Sequence, residues 1–265
     1  MRKGLSSAIL AASLTALYTG PAAAALPFIT DDAGTLGKGT SQVELWYTRS
    51  TDKETIEGLD VITERDLPGA TFGYGVADPL DVTLGLAREW GQETVAGVSA
   101  NDAGIALFTL SAKWRLYAEE KSGFCFAVKP LVGYSYLVGG MGEDYTATLG
   151  GWLITTKEYE PLSVSLNVGY LFNHYGSVAE RDGSKSSLWS ASALVTYEVI
   201  KGLKLGGDVG AWTNQDKTDS TIPVYALAGA IYSPNRNIDL SLGLKFGVTR
   251  PEPDFAWTAG ITFRF

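Results

Sequence analysis

Eight charged residues carry the chemistry that this 265-residue chain suggests: Glu44, Lys113, Arg115, Lys129, Glu198, Asp208, Lys245 and Arg264. Each lies on the polar side of a segment in which apolar and polar residues alternate, the period of a β-strand. Asp239 sits on the same side near a strand end. Charges of both signs gathered on one side of a sheet can pair with each other, hold an anionic solute, or orient a dipolar one. Two uses stay open: selectivity groups along a solute path, or a salt-bridged interior that stiffens the fold. Trp46, Tyr117 and Trp212 fall on or near the same side and could stack an aromatic solute.

Other chemistries are poorly supplied. One histidine, His174, and one cysteine, Cys125, exclude sites needing two of either. No metal or cofactor is expected. No phosphate loop, dinucleotide fingerprint or nucleophile elbow is present. A lipid-acting enzyme centred on His174 would need a nucleophile within reach. The local sequence is Asn173-His-Tyr-Gly-Ser177, and residues three apart on a strand point to opposite faces. His174 therefore reads as an interfacial ring, and the chain as a non-enzyme. The net charge of −8 argues against a nucleic-acid partner.

The elements that would position the charges are strands. In Leu162–Phe172, Leu162, Val164, Leu166, Val168, Tyr170 and Phe172 share one face, and Ser163, Ser165, Asn167 and Gly169 the other. Ile238–Val248 repeats the pattern. No apolar run after the first 25 residues approaches the roughly 20 needed by a membrane helix. Faces about ten residues long, with aromatics at the ends, suit tilted membrane strands between interfacial girdles. About twelve such segments are expected, near 40–49, 66–77, 81–90, 104–117, 124–138, 145–157, 162–173, 187–199, 203–213, 223–233, 238–249 and 255–265. Connections alternate between short turns, such as Lys201-Gly202, and longer loops, such as 50–65, 91–103, 174–186 and 214–222.

Lipid offers the backbone no hydrogen-bond partners, so such a sheet must close. The predicted fold is all-β: a closed antiparallel transmembrane barrel with short periplasmic turns and longer extracellular loops. Twelve strands about 4.8 Å apart and tilted about 40° give a backbone radius of roughly 12 Å, room for a small solute at most. Residues 1–25 read as a cleaved signal peptide, with Arg2-Lys3, an apolar run from Ala8 to Leu17, and Ala22–Ala25. Residues 26–39 read as a periplasmic N-terminal segment, and 40–265 as the barrel. The expected location is the outer membrane of a Gram-negative bacterium. The expected partners are its lipids, the barrel assembly machinery and a small solute. The aromatic Phe265 that ends the last strand resembles the signal read by that machinery.

The segment Leu26-Pro-Phe-Ile-Thr-Asp-Asp-Ala-Gly-Thr-Leu-Gly-Lys-Gly39 leads into Gln42-Val-Glu-Leu-Trp46. Pro27, Phe28, Thr30, Asp31, Asp32, Ala33, Gly37, Gly39 and Glu44 resemble the family of outer-membrane transporters named for the meta-cleavage pathway of phenol degradation. The resemblance implies a channel or transporter for small solutes, with aromatic or other hydrophobic compounds among the candidates. The alternative is a closed structural or surface-binding barrel acting through its outer loops. Physically, Thr30–Gly34 is turn-forming. It could plug the periplasmic mouth, hold a cation through Asp31 and Asp32, or anchor the N-terminus on the rim.

Overall fold

The computed structural model describes residues 26–56, 58–140 and 144–265. The segment read as a signal peptide lies outside them. Thirteen strands form one sheet: β1 Ser41–Ile56, β2 Leu59–Ala77, β3 Leu80–Val95, β4 Val98–Asn101, β5 Ile105–Glu119, β6 Phe124–Leu137, β7 Tyr145–Tyr159, β8 Leu162–Tyr175, β9 Ser187–Ile200, β10 Leu203–Trp212, β11 Val224–Asn235, β12 Ile238–Gly247 and β13 Phe255–Arg264. Twelve of them make the wall. Each pairs antiparallel with its neighbours, and β1 pairs with both β2 and β13, which closes the barrel. Ser41 and Phe265 exchange two backbone hydrogen bonds at the seam (3.1 and 2.9 Å). The end of the barrel holding Ser41 and Phe265 is called proximal below, and the opposite end distal.

The burial pattern is inverted relative to a soluble protein. On β8, Val168 is 59% exposed while Asn167, its neighbour, is 6% exposed. Apolar residues face outward and polar ones inward, as lipid outside and a polar lumen inside require. Outward rings gather at the strand ends. Tyr134 stacks on Tyr145 at 5.7 Å, and Tyr145 meets the His174 ring at 6.4 Å.

All twelve expected segments are present, but two expected loops are strands. β1 and β2 continue as a hairpin to Ile56 and Leu59, and the 91–103 region holds the β3–β4 hairpin. Beyond the apolar band both faces are polar, as in Thr51-Asp-Lys-Glu54, so alternation vanishes while the backbone ladder continues. A second departure is Tyr117. The β5–β6 register shifts between Arg115 and Tyr117, which turns Tyr117 outward against Phe124 (6.1 Å) rather than into the lumen. A β-bulge of this kind re-aims the side chains that follow it.

The distal end is partly roofed. A short helix, α1 (Val178–Gly183), lies in the β8–β9 loop, which pairs with the β10–β11 loop through Lys185 N–H donating to the Gln215 carbonyl (2.8 Å). Tyr175 knits the two loops, donating its hydroxyl to the Lys185 carbonyl (2.9 Å) and accepting from Gln215 Nε2 (2.9 Å).

Candidate functional site

The segment 26–39, read from the sequence as periplasmic, lies inside the barrel. It enters at the proximal end and runs through the proximal half to mid-height. A fully extended backbone there would strand its polar groups, so the wall supplies partners. Asp208, with no measurable exposure, accepts from Ile29 N–H and Thr30 N–H (both 2.8 Å) and from Thr30 Oγ1 (2.6 Å). Tyr225 Oη donates to the same carboxylate (2.9 Å). Ala33 N–H donates to Thr156 Oγ1 (2.9 Å). Asn167 fits with its amide nitrogen on the Asp31 carbonyl (2.9 Å) and its oxygen on Asp31 N–H (2.7 Å). Leu36 N–H donates to Asp81 Oδ2 (2.9 Å), and Gly39 N–H to the Gly75 carbonyl (2.8 Å).

Charge sits at the centre of this docking. Asp31 Oδ1 accepts from Lys113 Nζ (2.9 Å) and Oδ2 from Lys129 Nζ (2.6 Å), all three side chains being nearly buried. Lys113 also donates to the Asp32 carbonyl (3.0 Å). Burial pushes the Asp32 carboxyl up, but the Lys113 ammonium and the Gly34 N–H outweigh it and hold the group below the usual carboxylate range. Two lysines already occupy Asp31, so this carboxylate serves as their counter-ion rather than as a free cation ligand.

Shape completes the seat. Gly206, Gly229 and Gly243 are direct neighbours on one rung across β10, β11 and β12. A Cβ at Gly206 would come within 2.5 Å of the Phe28 ring, and one at Gly229 or Gly243 within 2.8 Å of Pro27. The three glycines thus form a smooth floor for Pro27-Phe28, and Phe28 packs there with Leu194, Tyr225 and Leu227. Gly229→Val is expected to unseat the segment by overpacking, at about 1–3 kcal/mol, while leaving the strand intact. Faster proteolysis between residues 26 and 40, with unchanged heat-modifiable gel mobility of the barrel, is the measurement. Protection equal to that of the parent protein would refute the glycine floor.

All eight charged residues have inward parity, but they do not form one cluster. Lys113, Lys129 and Asp208 hold the inserted segment. Glu44, 2% exposed, lies nearby, accepting from Gln42 Nε2 (2.9 Å) and Thr71 Oγ1 (2.7 Å). Arg115, Glu198 and Arg264 line the proximal mouth. There Arg115 donates to the Asp78 carbonyl (3.2 Å), Glu198 accepts from Gly202 N–H (3.0 Å), and Arg264 pairs with Asp239. Lys245 stands apart at the distal end, paired with Glu252 of the β12–β13 loop. Burial raises the Glu252 carboxyl, against the lowering pull of Lys245.

Of the aromatic candidates, Trp46 lies over Gly69 within the wall lining, and Trp212 stacks on Tyr225 (5.2 Å). Among the motif residues, Gly37 and Gly39 adopt φ of 84° and 83°, the left-handed region that turns the segment from the lumen into β1. Phe265 is exposed at the proximal rim. Cys125 packs beside Ala33, Ala127 and Ile154.

Several contributors escaped the sequence reading, among them Asp81, Thr156, Asn167, Tyr225 and the glycine rung. Asp81 opens the expected segment 81–90, and its parity with Thr83 on β3 was a usable signal. The inward parity of three glycines at mid-strand was another.

The family profile described as "Putative MetA-pathway of phenol degradation" matches residues 26–265, inserted segment and barrel together. The chain belongs to this family. No curated protein is matched by the sequence. Among solved structures, the chain resembles an outer-membrane channel from Pseudomonas putida F1, with a TM-score of 0.64 at 14% identity, over 88% of this chain and 98% of that one. It also resembles the transport unit of the autotransporter AIDA-I from Escherichia coli (TM-score 0.55, 11% identity, 96% of each chain). A third likeness is the KdgM porin in complex with disordered oligogalacturonate (TM-score 0.51, 11% identity, 84% of this chain and 99% of that one). At these identities the likeness establishes the barrel architecture of this family member.

Proposed function

We propose that this member of the phenol-pathway family is an outer-membrane channel for small solutes, aromatic and other hydrophobic compounds included. Its proximal end faces the periplasm and its lumen is narrowed by residues 26–39. The observation that carries the reading is the docking of that segment by Lys113, Lys129 and Asp208. It constricts a closed barrel whose inner face is polar, while leaving space along one wall. The wall charges then act as the groups a passing solute meets, and the segment sets the width. The outer-membrane location is supported by the apolar outward band and by the likeness to outer-membrane channels. The aromatic solute class rests on the family name alone. A second reading, a closed barrel acting through its distal loops, is favoured by the roof around Tyr175.

Single-channel recording of the refolded protein in a planar bilayer separates the two. Discrete steps are expected from residues 26–265, with larger steps once residues 26–33 are removed. Silence from both forms, with the barrel verified as folded, would overturn the channel reading in favour of the closed barrel.

A further inference from the structure

The inserted segment does not sit centrally. Its contacts from Phe28 to Ala33 run along the wall from β5 to β11, through Lys113, Lys129, Thr156, Asn167 and Asp208. Beside it a cavity of about 210 Å³ remains between the segment and the wall formed by β11, β12, β13, β1, β2, β3 and β5. Among its described lining residues carboxylates outnumber cations five to two. Two carboxylates are spent in ion pairs, Asp31 on Lys113 and Asp239 on Arg264. Asp32, Glu44 and Asp81 keep no ion-pair partner among the described residues. Glu44 is satisfied by neutral donors from Gln42 and Thr71.

Asp81 is different. Its Oδ2 accepts from the segment at Leu36, but its Oδ1 has no partner, although the residue is only 4% exposed. A carboxylate oxygen in such a place demands a donor, and one carrying positive charge is favoured most. The cavity also has an apolar side, made by Leu26, Leu36 and Ile231. At about 30 Å³ per water, its volume matches a body of roughly seven heavy atoms. That is larger than a bare ion and smaller than a sugar.

We infer that this cavity is a binding site for a small organic ammonium ion, the charged end on Asp81 beside Glu44 and the short apolar body against Leu26, Leu36 and Ile231. The inference rests on the channel reading and specifies the solute charge that the narrowed passage favours. Lys113 and Lys129, which by themselves suggest an anion path, share Asp31, and the one positive charge left over is outnumbered by Asp32, Glu44 and Asp81. The fixed charge left along the open side is negative.

The test is block of potassium current by n-butylammonium, with butyrate as the anion of similar size, using the refolded protein with residues 26–39 present. Butylammonium is expected to block in a concentration-dependent way, and butyrate is not. Asp81→Asn retains an acceptor for Leu36 N–H, so the segment stays docked. It should weaken block about fivefold, the effect of one unit charge at about 4 Å in a water-like medium. Glu44→Gln should act in the same direction. Steps of normal size with equal block by both ions, or unchanged block in Asp81→Asn, would overturn the inference and leave the channel standing. Absence of any steps from the folded protein would overturn the channel reading and the inference with it.

Discussion

Replacing Asp31 by alanine is expected to open the lumen. The carboxylate is shared by Lys113 at 2.9 Å and Lys129 at 2.6 Å, and all three groups are shielded from solvent. Removing the shared partner leaves two like charges close together, with only the neighbouring Asp32 carboxylate to offset them. Breaking a buried pair in this way costs about 3–5 kcal/mol, most of it the penalty of the orphaned charge. The lysines recover hydration only if the segment withdraws. The variant should therefore show larger single-channel steps than the parent, with selectivity shifted toward anions because two ammonium groups now face the passage. Asp31→Asn keeps the shape and the Asn167 contacts but not the charge, and should fall between the two. Steps and selectivity like the parent's, from a barrel shown to be folded, would mean that the ion triad does not hold the segment.

Asp208→Ala should release the same segment at the neighbouring residues Ile29 and Thr30. Among the described residues this carboxylate has no cation in contact; it is held by four donors from Ile29, Thr30 and Tyr225. Alanine leaves two backbone N–H groups and two hydroxyls facing a void. Each unsatisfied buried group costs about 1–3 kcal/mol, less whatever water entering the gap recovers. A net loss of roughly 3 kcal/mol or more in docking follows from that range. Limited proteolysis of the segment and single-channel step size should change together. A protected segment in the variant would show that Phe28 packing and the Asp31 triad suffice. The Asp31 and Asp208 variants should not add fully, because both act on one event, the seating of residues 26–39.

The barrel was legible because its cause is local. Lipid on one side and a polar lumen on the other impose a period of two, visible in any window of ten residues such as Leu162–Phe172. Parity alone put Glu44, Lys113, Lys129 and Asp208 inside. The partners of those charges were hidden, because Thr30 and Asp208 are 178 positions apart and Lys129 and Asp31 are 98 apart. Nothing in either local sequence names the other. Pattern reading also stopped where the environment stopped being two-sided, which is why the β1–β2 hairpin passed for a loop. Tyr117 was misplaced because one bulge reverses every later side chain on its strand. The Gly206–Gly229–Gly243 rung needed the register of three strands before three ordinary glycines became a floor.

The seating of Pro27-Phe28 on that floor also constrains how the molecule comes together. Residues 26–39 lead the barrel in the chain, yet the contacts of Pro27 to Ala33 lie on β5 to β8 and β10 to β12, much farther along. Long-range contacts are slow to form because the intervening chain must first be ordered. Here the seat is assembled from strands that β13 locks to β1 only at the end of the sequence. The leading segment must stay unsatisfied while the wall is built and then enter from the open proximal end, or be enclosed as the seam shuts. In either course Pro27 and Phe28, among the earliest-made residues of the described chain, wait for strands made near its end before they reach their native contacts.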